Sequence, residues 1–583
     1  MKTAAALVLA CAPALSAAAA VQQPAAPVRF AMGTELGGFD PAFANSMGHQ
    51  VLQRQIYEGL YEYAYGQPGF ALQPLLAASS ETSDDGLLWV FTLRADARFH
   101  DPWDEPLWPG RERAVRAMDV VESWLRQADG GLATEGFWAL EDLVVGLDEF
   151  RAQTARGADA RAEAWSAARA AGGIAGLRAL DERVLLVRLI RNEPDFLHRL
   201  ASSYTVVYPA EAVARSGADF VNEPVGSGAY SLAEWTPGED ATFRRVPGWR
   251  GQPDPFGGGP LPHLDAVRFT RVPAGSTRLL MFDRGDIATL NPSVAWDRLV
   301  VDGREPAEPW RSRGVKLEMV DTPLVTMLAF QMRDPVVGNV PGDEPGNARR
   351  RLLRAAIARA LPYGRWLKEV RNSHEGRLAT SFLPPELAEA ENAPAGPFAS
   401  EDLAEARRLL AAAGYPDGKG LPALRLDLSG PGEANRRIGL ILQDGLARVG
   451  IRVEPELNAG GKYFERIREG KVLLFPYIWT LDWPDPANLL AVFAGGAANG
   501  TNFTGFSDRE YDRLFAAFRA LPKGAERSAA AHALLVRLHQ ELPAIPLDHL
   551  RGFKLVQPWL GGYVPSSVDM LPAKYLYRLE TSR

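Results

Sequence analysis

Hydrophobic residues along the chain repeat with the two-residue spacing of strands in some segments and with the wider spacing of helices in others. The strand pattern occurs at 28–32, 89–93, 184–189, 266–271, 424–428 and 472–478, and the helical pattern at 49–60, 114–128, 347–361 and 438–449. Strands and helices that alternate in this way predict an α/β fold, with helices on both faces of the sheets.

One segment, 148–176, departs from this alternation. It is rich in alanine and arginine and has few large apolar side chains. A helix with so few apolar anchors cannot cover much of a core. We therefore predict a solvent-exposed helical excursion that buries little surface.

Length and charge restrict the class of protein. A chain of 583 residues is longer than one hydrophobic core usually holds, so two or three lobes are expected. The net charge of −7 and the scattered basic residues argue against nucleic acid or an anionic membrane as the main partner.

The first twenty residues have the pattern of an export signal. A lysine precedes an apolar stretch at 4–15, and small residues at 18–20 suit cleavage before Val21. The apolar stretch is too short to cross a bilayer. We therefore predict a signal peptide at 1–20 and a periplasmic or secreted protein. The single cysteine, Cys11, lies inside this segment, and lipid attachment at Cys11 remains an alternative to plain removal of the signal.

No motif in the chain supports catalysis. The eight histidines are dispersed, and no pair has the spacing of a zinc site. Gly226-Ser227-Gly228 lacks the spacing of a nucleophile elbow, and the glycine-rich run at 414–420 lacks that of a phosphate-binding loop. The sequence therefore predicts no cofactor, no metal site and no enzyme, because a hydrolase needs a nucleophile and a base that we do not find.

The most informative stretch, 479–486, directly follows the apolar strand pattern at 472–478. Residues just beyond the carboxyl end of a strand are where open α/β sheets bind ligands. Asp482 lies between Trp479 and Trp483, and a carboxylate in such an apolar niche can pair with an ammonium ion. We therefore predict that these three residues bind a ligand.

The same stretch has an alternative interpretation. Asp482 and Asp485 can instead cap the helix predicted at 487–493, and the two tryptophans can be plain core residues. Thr480 and Tyr477 lie beside the niche and are further candidates for ligand contacts. Both interpretations remain open on the sequence alone.

Thr34, Glu35 and Leu36 form a second candidate segment, directly after the first predicted strand. An extended ligand pairs with exposed backbone, and only its side chains need pockets. A segment in this position suits such pairing. The alternative is a simple loop at the exit of the strand.

Gly226, Ser227 and Gly228 form a third candidate segment. Glycines allow a backbone to approach a ligand or a hinge closely, although a plain turn has the same composition. The run 499–502 adds polar side chains that can contact a ligand.

Several separated stretches carry a family resemblance. They are, in chain order, Gly33-Thr34-Glu35-Leu36 with Phe39-Asp40-Pro41, the runs 55–61, 72–77 and 89–94, Phe99-His100-Asp101, the run 224–230, and the runs 411–421, 440–454 and 479–488. In this order they resemble the peptide-binding receptors of extracellular solute-binding family 5, over roughly residues 28–580.

The resemblance implies a two-lobed periplasmic-binding-protein fold of type II, similar to the peptide receptors, with an extra subdomain on lobe I. The implied bounds are 28–63, 201–315 and 546–583 for lobe I, 64–200 for the extra subdomain and 316–545 for lobe II. It also implies a monomeric receptor of an ABC importer, which captures a peptide or a similar small oligomer and delivers it to a membrane permease with paired ATPases. In this resemblance Asp482 matches the carboxylate that receives the α-amino group of a peptide.

Two departures from the family pattern concern the ligand. Gly460-Gly461 stands where the oligopeptide receptors place a pocket tryptophan, and Pro476 replaces a basic residue. The ligand class is therefore less well defined than the fold. A non-peptide solute such as an opine, a metal chelate or a sugar remains an alternative, as do a sensor or chaperone without a transporter and, more remotely, a secreted hydrolase.

Overall fold

The computed structural model describes residues 26–44, 46–67, 69–495, 501–566 and 571–579. The predicted signal peptide at 1–20, with Cys11, lies outside these residues, as do Asn499 and Gly500. Among the helices of the described residues, none is long and apolar enough to cross a membrane.

The first half of the chain forms short strands and mostly short helices. Its strands are β1 (Val28–Met32), β2 (Tyr61–Tyr63), β3 (Leu72–Pro74), β4 (Ala77–Thr82), β5 (Leu88–Leu93), β6 (Arg98–His100), β7 (Glu112–Ala114), β8 (Gly173–Ile174), β9 (Leu177–Ala179), β10 (Val184–Arg188), β11 (Tyr230–Thr236), β12 (Asp240–Arg245), β13 (Ala266–Arg271), β14 (Thr289–Leu290), β15 (Val300–Val301) and β16 (Glu305–Pro306). Its helices are α1 (Met47–Ile56), α2 (Ala117–Gln127), α3 (Leu147–Thr154), α4 (Ala158–Ala170), α5 (Phe196–Arg199), α6 (Ala210–Ser216), α7 (Gly275–Asp283) and α8 (Trp296–Leu299).

The second half contains the long strands and the longest helices. Its strands are β17 (Lys316–Phe330), β18 (Gly376–Leu378), β19 (Leu424–Ser429), β20 (Val453–Asn458), β21 (Leu474–Thr480), β22 (Ala544–Val556), β23 (Leu560–Gly561) and β24 (Tyr577–Arg578). Its helices are α9 (Glu344–Ala360), α10 (Tyr363–Val370), α11 (Leu403–Ala412), α12 (Glu433–Ala447), α13 (Gly460–Arg468), α14 (Pro486–Leu490), α15 (Arg509–Ala520) and α16 (Ala525–Glu541).

The buried side chains divide the molecule into two lobes. The core of lobe I extends from Val28 to Leu576 and joins the sheet β1-β13-β12-β11 to the antiparallel sheet β4-β5-β10-β9-β8. The core of lobe II extends from Val325 to Leu547 around a sheet of order β14-β22-β17-β21-β19-β20. The α/β class and the two lobes that the sequence predicts are confirmed.

Two long antiparallel strands, β17 and β22, connect the lobes. They pair from Lys316 opposite Val556 to Ala329 opposite Ala544. The end of β17 at Val325–Phe330 is buried in the lobe II core, whereas β22 pairs at its other end with β14. A small third core, which includes Phe282, packs against that end of the ladder. The floor of the space between the lobes is therefore built from these two strands, which we call the hinge strands.

The segment 148–176 is helical and more than half of its residues are exposed, as its composition predicts, but its inner face is anchored to lobe I. α3 and α4 form a hairpin whose inner face adds Leu147 and Phe150 to the lobe I core. The carboxylate of Asp129, which is fully buried, accepts from the guanidinium of Arg161 at 2.8 Å and from the indole N–H of Trp165 at 2.8 Å. The expectation of little burial therefore holds for the outer face, whereas Phe150 and the pair of buried Asp129 with the partly exposed Arg161 anchor the hairpin.

Candidate functional site

The stretch 479–486 begins at the end of β21, beside the hinge strand β17. Thr480 lies opposite Leu324 in the antiparallel ladder, and the N–H of Leu481 donates to the carbonyl of Pro323 at 2.9 Å. In an antiparallel ladder, every second residue bonds to the same neighbouring strand. Leu481 bonds to β17, so the backbone groups of Ile478 and Thr480 point away from β17, toward the opposite edge of β21. The strand on that edge, β19, pairs with β21 only at Leu474, and Ile478 and Thr480 are exposed, so this end of the edge suits an extended ligand.

The two carboxylates that follow β21 have different partners. Asp485 is the N-cap of α14, where its side chain accepts from the N–H of Ala487 at 2.8 Å, and it pairs with Arg527 at 2.7 Å. Asp482 instead receives a long bond of 3.5 Å from the side-chain amide of Asn488. The capping interpretation is therefore confirmed for Asp485 and wrong for Asp482.

Asp482 is a half-buried carboxylate with few hydrogen-bond donors. Burial raises its pKa to about 6, and the bond from Asn488 and the charge of Arg199 only partly oppose this effect. Tyr204 of lobe I faces Asp482. Burial raises the pKa of Tyr204, and the negative charge of Asp482 raises it further. The Tyr204 hydroxyl accepts a hydrogen bond from the side-chain amide of Gln50 at 3.2 Å. A half-buried carboxylate with so few donors is suited to a cationic partner.

Trp483 forms a contact between the lobes. Its ring stacks on Trp138 of lobe I at 5.1 Å between centroids and 15° between planes, and the guanidinium of Arg199 lies 4.4 Å from the ring centroid. Its side chain is only 2% exposed. Trp483 therefore closes the cleft beside Asp482 rather than lining an open pocket.

Trp479 and Tyr477 lie on the lobe II side of the same region. The indole N–H of Trp479 donates to the amide oxygen of Asn488 at 2.9 Å, which orients the amide toward Asp482. The rings of Tyr477 and Trp479 are 6.2 Å apart, and Phe503 packs edge-on against Tyr477 at 5.3 Å. Tyr477 is thus part of the lobe II core that supports the niche.

A cluster of ion pairs around Glu193 connects the two lobes beside the cleft. The sequence patterns did not predict this cluster. Glu193 pairs with Arg191 at 3.0 Å and Arg199 at 3.4 Å within lobe I, and with Arg519 of lobe II at 3.5 Å. Burial and the nearby charge of Asp195 raise the pKa of Glu193. The signal in the sequence was a set of charges at 191–199 interspersed with Phe196 and Leu197, since charges next to such apolar residues are buried only when paired.

We expect Trp138→Ala to shift the protein toward the open form. A stacked aromatic pair contributes about 0.5–1.5 kcal/mol, so the open-to-closed ratio should rise about two- to twelvefold. Single-molecule energy transfer between dyes on the two lobes measures this ratio. The matched control is Trp103→Ala, a half-buried tryptophan of lobe I. An unchanged ratio in Trp138→Ala contradicts a closing role for the stack.

The three candidate residues in the loop after β1 differ in exposure. Thr34 and Glu35 are exposed, whereas Leu36 is 2% exposed and bridges to Gly238 through an N–H to carbonyl bond of 3.2 Å. Glu35 lies near His49. Burial lowers the pKa of His49, and the negative charges of Glu135 and Glu35 only partly oppose this effect. Thr34 and Glu35 therefore remain candidates for ligand contacts, and Leu36 anchors the loop in lobe I.

The segment Gly226, Ser227 and Gly228 packs inside lobe I. A Cβ at Gly226 would lie 2.2 Å from the carbonyl oxygen of Ile56, and one at Gly228 would lie 2.6 Å from the same atom. Ser227 is fully buried, and its carbonyl accepts from the indole of Trp249 at 2.9 Å. These contacts favour the turn interpretation, because glycine is needed for the close approach to α1 and no described contact connects the segment to Asp482.

Gly226→Ala is expected to lower the free energy of unfolding by about 1–3 kcal/mol, the usual cost of overpacking a core. The added methyl group collides with backbone, which cannot move aside easily. Urea denaturation measures the change. Gly461→Ala is the control, since no atom lies within 4 Å of an added Cβ there. A Gly226→Ala variant that is stable but loses ligand binding would contradict the turn interpretation and support a ligand contact at this segment.

Metal ligands are not clustered in the part of the chain that the structure describes. No group of three or more His, Cys, Asp or Glu side chains there has the arrangement of a metal site. The chemistry that the cleft offers consists of an acidic niche, an exposed strand edge and aromatic walls.

Known proteins share this architecture. The model of the bacterial extracellular solute-binding proteins, family 5 (middle region), matches residues 71–501. The chain is 24% identical over 547 residues to heme-binding protein A of Haemophilus influenzae, which covers 91% of this chain and 88% of that protein. It is 26% identical over 562 residues to probable di/tripeptide-binding protein 5 of Pseudomonas aeruginosa, with 93% and 94% covered.

A solved structure shows the same fold. The ABC transporter-associated periplasmic binding protein DppA of Helicobacter pylori, in complex with the peptide STSA, superposes with a TM-score of 0.71 at 20% identity and covers 95% of this chain and 98% of that one. The resemblance drawn from the sequence is confirmed, and the matched proteins are binding proteins rather than enzymes. The chain belongs to the bacterial extracellular solute-binding proteins, family 5.

Proposed function

We propose that the protein is the substrate-binding receptor of an ABC importer and that it captures peptides with a free α-amino group between its lobes. The observation that carries the proposal is Asp482, a half-buried carboxylate at the lobe boundary that is not used as a helix cap and whose pKa burial raises. The names of relatives that bind di- and tripeptides support the ligand class. An opposite charge stabilises the ionised form of such a carboxylate, and a peptide ammonium supplies one.

The binding cycle is a physical one, with no chemical step. A peptide bound to the edge of β21 and to Asp482 on lobe II also contacts Thr34 and Glu35 on lobe I. Ligand contacts to both lobes favour the closed form, which the stack of Trp138 on Trp483 already supports. To move the equilibrium from 1:99 to 99:1, the ligand must favour closure by about 5.5 kcal/mol.

The remaining parts of the proposal concern the cellular setting. We propose export by the signal at 1–20, lobe bounds as implied by the family resemblance, a monomeric receptor and delivery of the peptide to a permease with paired ATPases. The extracellular family supports the location. The absence of a catalytic motif in the sequence supports a role in binding alone.

Mass spectrometry of the ligands released from the purified protein tests the proposal. We expect short peptides, released from the native protein and absent from a control preparation of Asp482→Asn. Recovery of heme, an opine, a sugar or a metal chelate would replace the peptide ligand while keeping the receptor role. Turnover of added peptides would contradict a purely binding function.

A further inference from the structure

A buried amide connects the strand β21 to the candidate carboxylate. Asn488, in the first turn of α14, is 7% exposed, and its side chain lies between Trp479 on β21 and Asp482. The indole N–H of Trp479 donates to Oδ1 of Asn488 at 2.9 Å, and Nδ2 of Asn488 donates to Oδ2 of Asp482 at 3.5 Å. The three side chains therefore form one continuous chain of hydrogen bonds within lobe II.

The indole decides which end of the amide faces Asp482. An indole N–H can only donate, so the atom that meets it must be the amide oxygen of Asn488. The NH2 group is then left on the side of Asp482. If the amide were turned over, its NH2 group would meet the indole N–H and its oxygen would meet the carboxylate, so both contacts would be repulsive. Trp479 thus keeps a donor directed at Asp482, although the bond itself is long.

The other charged groups near Asp482 are on the opposite lobe or already paired. The titratable groups that face it across the cleft are Arg199 and Tyr204, and both belong to lobe I. On lobe II, the neighbouring carboxylate of Asp485 is used by an ion pair of its own. Among the described side chains of lobe II, the one that donates to Asp482 is therefore Asn488.

This donor favours the ionised form of Asp482. Burial raises the pKa of Asp482 to about 6, and the hydrogen bond from Asn488 is the largest of the effects that lower it. The charge of Arg199 also lowers it, but Arg199 lies on lobe I and is withdrawn when the cleft opens. A donor held within lobe II stabilises the ionised carboxylate in the open protein as well, before a ligand has arrived.

We infer that Asn488 is a positioning residue for the capture of a ligand ammonium, and that Trp479 acts on the ligand through Asn488 rather than as a wall of the pocket. This role differs from the direct ligand contact that the sequence predicts for Trp479. The inference rests on the proposed function for the ligand group, an ammonium. Its structural part, that the pair holds Asp482 ionised and able to accept, does not depend on the ligand.

The test follows the pH at which the affinity for pentaalanine falls to half. We expect Asn488→Leu, which removes the donor and keeps much of the volume, to raise this midpoint by about 0.5–1 pH unit. At pH 6 its affinity should then be about two- to fivefold weaker than that of the wild type, and at pH 7.5 the two should be nearly equal. Trp479→Phe keeps the aromatic packing and frees the amide to turn, so it should shift the midpoint in the same direction by less.

The matched control for the loss of the indole is Trp235→Phe. The indole N–H of Trp235 donates to the side-chain oxygen of Asn222 at 2.9 Å, the same kind of bond as in the Trp479 pair, but in lobe I. The control should lose a similar amount of stability and leave the midpoint unchanged. A lower melting temperature in Asn488→Leu and Trp479→Phe with an unchanged midpoint would show that the pair only supports the fold, and it would overturn the inference.

A direct titration separates this inference from the peptide hypothesis. In ligand-free protein isotopically labelled at the aspartate carboxyl carbons, the NMR signal that is missing from Asp482→Asn reports the protonation of Asp482. Its midpoint should rise in Asn488→Leu and Trp479→Phe whether or not the protein binds peptides. A raised midpoint together with pH-independent binding of pentaalanine would support the inference and contradict the proposed function. An unchanged midpoint in both variants overturns the inference.

Discussion

Asp482→Asn is expected to weaken binding of pentaalanine about 100-fold. The substitution keeps the shape of the side chain and removes the charge that faces the ligand ammonium. Breaking a buried ion pair by changing one partner costs about 3 kcal/mol or more, which corresponds to a dissociation constant roughly 100 times larger. N-acetylated pentaalanine has no ammonium group, so it should bind the wild type and Asp482→Asn equally. Calorimetric titration of both proteins with both peptides measures the four affinities.

Two controls make this test specific. Asp444→Asn removes an exposed carboxylate from α12 and should leave all affinities unchanged, which excludes an effect of net charge alone. The melting temperature of Asp482→Asn should stay near that of the wild type, because Asp485 and not Asp482 caps α14. Equal affinities in all four titrations would remove the peptide-amine hypothesis.

The pH dependence of binding follows from the same carboxylate. Burial raises the pKa of Asp482 to about 6 in the closed protein. Since only the ionised form attracts an ammonium ion, affinity for pentaalanine should be full above about pH 7 and should fall as the pH drops through 6. The acetylated peptide and the Asp482→Asn variant should both lack this change. Titrations at pH 5, 6 and 7.5 in one buffer of constant ionic strength measure it.

The elements of the fold follow closely from local patterns in the sequence. The strand predicted at 28–32 is β1 (Val28–Met32), and that predicted at 472–478 is β21 (Leu474–Thr480). The helix predicted at 49–60 ends earlier, at Ile56, since Tyr57 adopts an extended backbone. These agreements reflect side-chain periodicity, which a chain segment shows regardless of its distant partners.

The candidate site was only partly predictable, because its contacts join distant parts of the chain. Asp482 and Asp485 both precede the same helix, and the sequence could not decide which one caps it. The decision depends on Arg527, a residue of α16 that pairs with Asp485. In the same way, Trp483 meets Trp138 and Arg199 only after the lobes close. No local pattern records such contacts.

Arg527→Met is expected to lower the free energy of unfolding by about 3–5 kcal/mol, the usual cost of leaving one member of a buried ion pair without its partner. Arg527 is 1% exposed and lies 2.7 Å from Asp485. It also donates to the carbonyls of Phe518 at 3.1 Å and Leu521 at 2.9 Å, which lose their donor in the variant. Methionine occupies much of the volume of arginine, so the loss comes from charge and hydrogen bonds rather than from a cavity. Urea denaturation of the full chain measures it.

The comparison with an exposed pair identifies the cause of that loss. Arg513→Met breaks a pair with Glu510 on the surface of α15 and should cost at most about 1 kcal/mol. The double variant Arg527→Met with Asp485→Leu should recover part of the stability, since it removes the charge that the single variant leaves unpaired.

Burial and the charge of Asp195 raise the pKa of Asp485 to about 6, and without Arg527 the carboxylate takes up a proton still more readily. The loss of unfolding free energy in Arg527→Met should therefore shrink below pH 6, where Asp485 becomes neutral. A loss that is independent of pH would show that the missing backbone hydrogen bonds, and not the unpaired charge of Asp485, destabilise the variant.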